Sequence, residues 1–190
     1  QPDPGDWLGL YFSPESVNSE LENVTLRYGG AVFGSSPLGW GNAIWVDKSS
    51  ISLKNSVVEK NKNRGLRLVN SNSIVDSVKF LDHNITDWPP GLNESKAVFV
   101  QGGKPQIKNS YFENNSQGIY INFFWDELNQ VNIIAEPLIE NNNFVKNGDP
   151  IYFGQISYPV FTNNQATNNQ FNAIIFAFDI SKDMVLKPDL

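Results

Sequence analysis

The sequence predicts an all-β chain: a solenoid of short strands wound through about seven laps, each stacked on the one before. Three observations predict it. A six-residue segment recurs at fixed spacing. A small–apolar–any–apolar strand recurs in register with it. No long face of period 3.6 competes, because Asn, Gly and β-branched residues interrupt every candidate helix.

The recurring segments are LENVTL at 21, LKNSVV at 53, VDSVKF at 75, IKNSYF at 107, IENNNF at 139 and FTNNQA at 161. Each reads apolar, polar, Asn (once Ser), two variable residues, then apolar or small. The third column is Asn23, Asn55, Ser77, Asn109, Asn141 and Asn163, with steps of 32, 22, 32, 32 and 22. A unit of 22 residues with insertions of 10 accounts for all five steps. A second polar column follows each segment: Asn61, His83, Asn115, Asn147 and Asn169, with Gly29 in the first unit. A third column opens a strand at Gly9-Leu10-Tyr11-Phe12, Ala43-Ile44-Trp45-Val46, Gly65-Leu66-Arg67-Leu68, Ala97-Val98-Phe99-Val100, Gly118-Ile119-Tyr120-Ile121, Pro150-Ile151-Tyr152-Phe153 and Ala173-Ile174-Ile175-Phe176. Each lap therefore holds three short strands with period-two alternation. A lap cannot bury its inward residues alone and does so against its neighbours. Two interior stacks follow: Leu26, Val58, Phe80, Phe112 and Phe144, and Leu10, Ile44, Leu66, Val98, Ile119, Ile151 and Ile174.

The 190 residues are expected to form one domain, 1–190, cut from a longer chain. Aromatics are 13% of the chain, charged residues only 18%, and 25 Asn carry the polar load. A net charge of −6 lacks the basic footprint of a nucleic-acid binder. No apolar run reaches the ~18–20 residues of a spanning helix. There is no Cys, which removes disulfides, thiolate metal sites and thiol nucleophiles. A Ser-His-Asp triad would have to run through the one His, His83.

These repeats resemble the right-handed parallel β-helix of pectate-lyase-like proteins and bacterial surface proteins. The stretch Asn109 to Ile121, read N-[SN]-x-F-x-x-N-x-x-x-G-I-x-I, carries the resemblance most fully, and it covers about Trp7 to Phe178. The resemblance implies a right-handed single-stranded β-helix of about seven coils, at the cell surface or outside the cell. It also implies that Asn23, Asn55, Ser77, Asn109, Asn141 and Asn163 form a ladder of side-chain amides bonded lap to lap in a tight turn, broken once at Ser77.

Function is expected on outward residues. One outward column, Glu22, Lys54, Asp76, Lys108, Glu140 and Thr162, alternates in sign and reads as a register-fixing charge ladder. The other runs Tyr11, Trp45, Arg67, Phe99, Tyr120, Tyr152 and Ile175. An apolar stripe of that length is covered or used. Three readings stand: satellite core under the insertions, a platform stacking sugar rings, or a protein contact. Insertions at Gly30 to Asn42, Ile85 to Lys96 and Phe123 to Glu136 flank it. The candidate site is therefore Trp45, Asp47, Arg67, Phe99, Gln101, Tyr120, Asn122 and Tyr152, with Trp40, Trp88 and Trp125 on the rims.

Catalysis is tested against the same residues. A β-eliminating lyase needs a cationic base and charge relief, often from calcium on clustered carboxylates; a glycosidase needs two opposed carboxyls. Arg64, Arg67, Lys62 and Lys96 are cations on this face, and Asp47 is its one floor carboxylate. Asp82, Asp126 and Glu127 are further candidates without a paired pattern, and His83 occupies an Asn column, which suits a turn-stabilising role. Glu113, Glu140 and Asp149 do not complete a calcium loop, so no cofactor is expected. The four N-x-[ST] matches are close to the roughly three that 25 Asn and this Ser and Thr content give by chance, and Gly29-Gly30 and Gly102-Gly103 lack a P-loop Lys. The expected activity is non-catalytic binding of a polysaccharide or protein partner, with a lyase or hydrolase acting on acidic polysaccharide, or a bare spacer, as alternatives. Strand edges at either end call for contact with further β-helix or another domain, and Ser181 to Leu190 is a candidate cap.

Overall fold

The computed structural model describes residues 1–32, 41–83 and 95–176. Three parallel sheets run the length of a parallel β-helix. The first holds Leu10–Phe12, Asn42–Asp47, Arg64–Val69, Lys96–Gln101, Gln117–Asn122, Asp149–Phe153 and Ile174–Phe176. The second holds Ser19–Glu22, Ile51–Lys54, Ile74–Asp76, Gln106–Lys108, Leu138–Glu140 and Val160–Thr162. The third holds Thr25–Arg27, Val57–Glu59, Lys79–Leu81, Tyr111–Glu113, Asn143–Val145 and Gln165–Thr167. The columns pair as the sequence spacing requires: Val98 lies against Leu66 and Ile119, and Lys108 against Asp76 and Glu140. Asn109 and Asn141 are neighbours in successive laps, with the Asn109 amide donating to the Glu140 carbonyl at 3.0 Å.

The interior is filled by stacks. Phe80, Phe112 and Phe144 are fully buried, their rings nearly parallel at 5.0 and 4.7 Å between centroids. Leu53, Val75, Ile107 and Ile139 fill the second sheet's inner face, and Ile44, Leu66, Val98, Ile119 and Ile151 the first sheet's.

The turns carry a correction. Asn23, Asn55, Ser77, Asn109, Asn141 and Asn163 do stack in one column, but they are exposed and all have positive φ, from 47° to 59°. Asn is favoured there because it enters the left-handed region at less cost than most L-residues. Its side chain serves elsewhere: Asn55 Nδ2 donates to Glu22 and Asn109 Nδ2 to Asp76, at 3.1 and 2.8 Å. The amide ladder lies one residue further on. Asn142 sends both its backbone N–H and its Nδ2 to Asn164 Oδ1 (each 3.0 Å), Ser110 N–H reaches Asn142 Oδ1, and Val24 and Val78 N–H reach the Ser56 and Ser110 hydroxyls. The left-handed residue turns the chain sharply and aims its successor inward, where a buried amide has to be satisfied.

A second ladder follows the third sheet. Left-handed Tyr28, Lys60, Asp82, Asn114, Lys146 and Asn168 precede inward Gly29, Asn61, His83, Asn115, Asn147 and Asn169. Asn115 bonds Asn147, and Asn147 bonds Asn169, each through backbone N–H and side-chain Nδ2 to the next Oδ1. The spare Nδ2 protons go to main-chain carbonyls: Asn115 to Phe80, Asn147 to Phe112, Asn169 to Phe144. His83 takes an Asn place in this ladder, the turn-stabilising role its column suggests.

The expected charge ladder forms in part. Lys108 lies 3.7 Å from Asp76, while Lys54 turns to Glu20 at 3.2 Å. Among the described residues no helix is long and apolar enough to cross a membrane. The candidate cap Ser181 to Leu190 lies outside the described residues.

Candidate functional site

The first sheet differs from the other two in strand length. Four of its central strands have six residues, against three or four elsewhere. Each six-residue strand presents three outward positions, so the outer face carries three columns in register. Asn42, Arg64, Lys96, Gln117 and Asp149 form the leading polar rail. Tyr11, Trp45, Arg67, Phe99, Tyr120, Tyr152 and Ile175 form the ring column. Asp47, Val69, Gln101 and Asn122 form the trailing rail.

The ring column is continuous. Tyr11 and Trp45 centroids are 5.0 Å apart, Phe99 meets Tyr120 edge to face at 5.1 Å, and Tyr120 stacks on Tyr152 at 5.0 Å with planes 5° apart. Arg67 fills the one gap: its guanidinium lies 4.9 Å over Trp45 and 5.9 Å from Phe99. Arg64 lies 5.4 Å over Phe99, and the Lys96 ammonium 4.9 Å over Tyr120. These spacings match the ~4.8 Å between neighbouring strands. Parallel rings at that spacing turn their faces along the helix axis. Tyr120 and Tyr152 therefore spend their faces on each other and present edges outward. That geometry does not provide the flat platform for sugar rings; it offers ring edges and hydroxyls.

Burial grades along the column. Trp45 is 6% exposed, Arg67, Phe99, Tyr120 and Tyr152 are half-buried, and Tyr11 is 37% exposed. Burial first, and the Arg64 guanidinium second, bring Arg67 down to about 10, with Asp47 acting in the opposite direction; Arg67 remains a cation at neutral pH. Arg67 Nε donates to Gln101 Oε1 at 2.8 Å. The Tyr11 hydroxyl donates to Asp47 Oδ2 at 3.1 Å, and burial followed by that carboxylate raises the phenol above its ordinary value. Asn122 Oδ1 accepts the Phe123 N–H. On the leading rail Gln117 Nε2 donates to Asp149 at 3.1 Å. Gln117 Oε1 and both amide atoms of Asn42 are buried without a hydrogen-bond partner among the described residues.

One insertion forms a wall. Phe124–Asp126 and Val131–Ile133 pair antiparallel as a hairpin. Lys48 lies 3.7 Å from Asp126 and 5.4 Å from the Phe124 ring centroid, although two sheet strands, Arg64–Val69 and Lys96–Gln101, lie between the strand that Lys48 follows and the one that launches the hairpin. The hairpin thus leans back over the end of the trailing rail. Gly102 permits this: at φ 72°, a Cβ there would stand 3.0 Å from Ile133 Cγ2. Trp125 is 42% and Leu128 86% exposed on the hairpin.

Of the sequence-derived candidates, Trp45, Asp47, Arg67, Phe99, Gln101, Tyr120, Asn122 and Tyr152 share this face, and Trp125 stands on the hairpin. Trp40 and Trp88 lie outside the described residues. Asn42, Gln117 and Asp149 were not expected. Their signal was available: each stands three residues before the ring column, ahead of Ala43, Gly118 and Pro150.

Two of the candidate acids, Asp126 and Asp82, are engaged. Asp126 accepts from Leu128 N–H and Asn129 Nδ2 besides facing Lys48; the Asn129 bond chiefly, aided by Lys48, holds its carboxyl below the usual range. Asp82 accepts from Asn114 Nδ2 at 2.7 Å. His83 is fully buried in its ladder. Among the described residues no three acidic or imidazole side chains gather as metal ligands.

Comparison with known proteins yields one match. A family model described as "right handed beta helix region" matches residues 42–182. No curated protein and no solved structure matches the chain.

Proposed function

This chain belongs to the right-handed β-helix family, and from that premise we propose that it is a non-catalytic module, outside the cell or on its surface, that binds an extended glycan along the outer face of the first sheet. One observation carries the reading: the ring column runs in unbroken register from Trp45 to Tyr152, with the leading polar rail beside it from Asn42 to Asp149 and Asp47, Gln101 and Asn122 on its other side. A linear polymer laid along the axis meets the same kind of contact at every lap. Phenol hydroxyls, Gln101 and Asn122 offer hydrogen bonds to sugar hydroxyls, and ring edges exclude water beside them. Arg64, Arg67 and Lys96 add positive charge at the centre of the face.

A glycan array probed with the chain and with Tyr120→Ala and Gln101→Ala tests the reading. Loss of binding in both variants with unchanged melting supports it; undiminished binding rejects this face as the site. Absorbance of unsaturated uronates or new reducing ends released from pectin, alginate or glucan would replace it with the lyase or hydrolase reading. A protein partner is the second reading, favoured by the exposure of Trp125, Leu128 and Val131 on the hairpin. In that case Trp125→Ala and Leu128→Ala abolish binding while Tyr120→Ala does not.

A further inference from the structure

We propose that His83 is an acid-sensitive joint in the second ladder, and that its protonation uncouples the His83 turn, which closes the lap bearing Arg64–Val69, from the Asn61 turn, which closes the lap bearing Asn42–Asp47. The hydrogen-bond directions leave the imidazole a single form. Asn61 Oδ1 accepts the Gly29 N–H at 2.7 Å, so the atom facing His83 Nε2 at 3.3 Å is the donor Nδ2. Nε2 must therefore carry a lone pair. On the other side Asn115 Oδ1 accepts the His83 backbone N–H and faces Nδ1 at 3.0 Å, while Asn115 Nδ2 is committed to Phe80 O and Asn147 Oδ1. Nδ1 must therefore carry the proton. Neutral histidine with hydrogen on Nδ1 passes the ladder's donor–acceptor sense from lap to lap as Asn does.

A second proton on Nε2 sets N–H against N–H at Asn61. The joint has no room to turn away, because Gly65 lies against it: a Cβ at Gly65 would be 2.6 Å from Nε2. Gly65 belongs to the strand that carries Arg67, so the strain enters the middle of the outer face. The charged groups on the packed segments are mostly positive. Arg64 and Lys96 begin the two adjoining strands, Lys60 and Lys62 lie in the Asn61 turn, and Asp82 and Glu113 are the acids beside and beyond. Burial dominates and lowers the imidazole to about 4; the Asn115 bond and Asp82 only partly oppose it.

The effect on ligand rests on the glycan-binding reading; the joint itself does not. Nitrogen-15 NMR of the imidazole in the whole chain is expected to show the Nδ1–H tautomer at neutral pH and a midpoint near 4. Hydrogen-exchange protection of the Gly29 and His83 amides is expected to fall at least tenfold on acidification through that midpoint, while Asn147 keeps its own. His83→Asn, the residue type resident in this column, is expected to abolish the selective loss. Glycan retention should fall between pH 7 and 4 more steeply in the parent chain than in this variant. An Nε2–H tautomer, a midpoint near 6.5, or equal selective loss in His83→Asn overturns the proposal. Absence of any glycan binding overturns the functional reading alone, because the NMR and exchange results still decide the joint.

Discussion

The location of the amide ladder can be tested by two substitutions six residues apart. Asn147 is 3% exposed, and its Oδ1 accepts from Asn115 N–H (3.1 Å) and Asn115 Nδ2 (2.8 Å). Its Nδ2 donates to Phe112 O and Asn169 Oδ1, both at 3.0 Å. Asn147→Ala strands the buried Asn115 N–H, at a cost of about 1–3 kcal/mol, and takes a second hydrogen bond, worth about 0.5–1.5 kcal/mol, from the Phe112 carbonyl, which keeps its place in the strand ladder. The Asn115 side chain keeps Phe80 O, and Asn169 Oδ1 keeps the residue-147 backbone N–H. The expected loss is therefore roughly 1.5–4.5 kcal/mol, and at about 2–4 °C per kcal/mol for a chain of this size, some 3–18 °C in melting temperature. Asn141 is exposed, and its contribution is the left-handed backbone at φ 54°. Asn141→Ala is expected to cost about 1 kcal/mol, and Asn141→Gly close to zero.

Thermal and urea unfolding of the three variants is the assay, with exchange of the Asn115 amide as the local readout, since solenoid laps need not unfold together. Equal losses for Asn141→Ala and Asn147→Ala would refute the assignment and return the ladder to the first Asn column. A large loss for Asn141→Gly would refute the conformational account of that column.

Phe112→Ala removes the middle ring of a buried stack of three and is expected to cost about 3–5 kcal/mol in urea unfolding, more than Leu26→Ala on the half-buried first lap. For His83 the unfolded chain takes up a proton near pH 6.5, while the folded chain refuses it until about pH 4. Its contribution is thus fully present above 6.5 and lost as pH falls between those values, about 3 kcal/mol in all; the stability of the parent relative to His83→Asn should show that slope. Asp126 is held below the ordinary carboxylate range, so its grip on the hairpin persists above that range and is lost as pH falls through the lowered value. Asp126→Ala should accelerate proteolytic cleavage at residues 127–130 at neutral pH, with cleavage elsewhere unchanged.

The winding was legible because laps come in two lengths: inward residues of the second and third sheets repeat at 22 or 32, those of the first within two residues of these values, and no side-chain detail is needed to see it. The ladder was misplaced by one residue for a physical reason. A left-handed turn residue and a buried amide both favour Asn, and the two demands fall on adjacent positions, as in Asn141-Asn142 and Asn163-Asn164. The near-invariant column is the conformational one, because the backbone needs the same φ at every lap. The bonded column tolerates Ser56, Ser110 and Val78, since a hydroxyl accepts an N–H and Val78 sends only its own N–H onward. Period-two alternation placed the ring column on the outer face, but ring orientation depends on contacts one lap away, which a single strand's pattern does not encode. The leading rail escaped notice because Gly65 and Gly118 turn inward, where a Cβ would meet His83 and Phe144, so outward positions there fall three residues apart instead of two.

The distribution of obligations over the three sheets argues for the first as the binding face. Strands of three residues in the second and third sheets have two outward positions, and several of these are tied up in lap-to-lap ion pairs: Lys108 with Asp76, Arg27 with Glu59, Lys146 with Glu113. Such pairs fix register and leave little apolar surface. The first sheet needs no such device, because its long strands and stacked rings already hold register. That leaves a third outward column free to vary, and Asp47, Gln101 and Asn122 there are polar side chains of different kinds. A face whose register is secured by the ring stack can differ at each lap in what it recognises, which an extended ligand requires and a bare spacer does not.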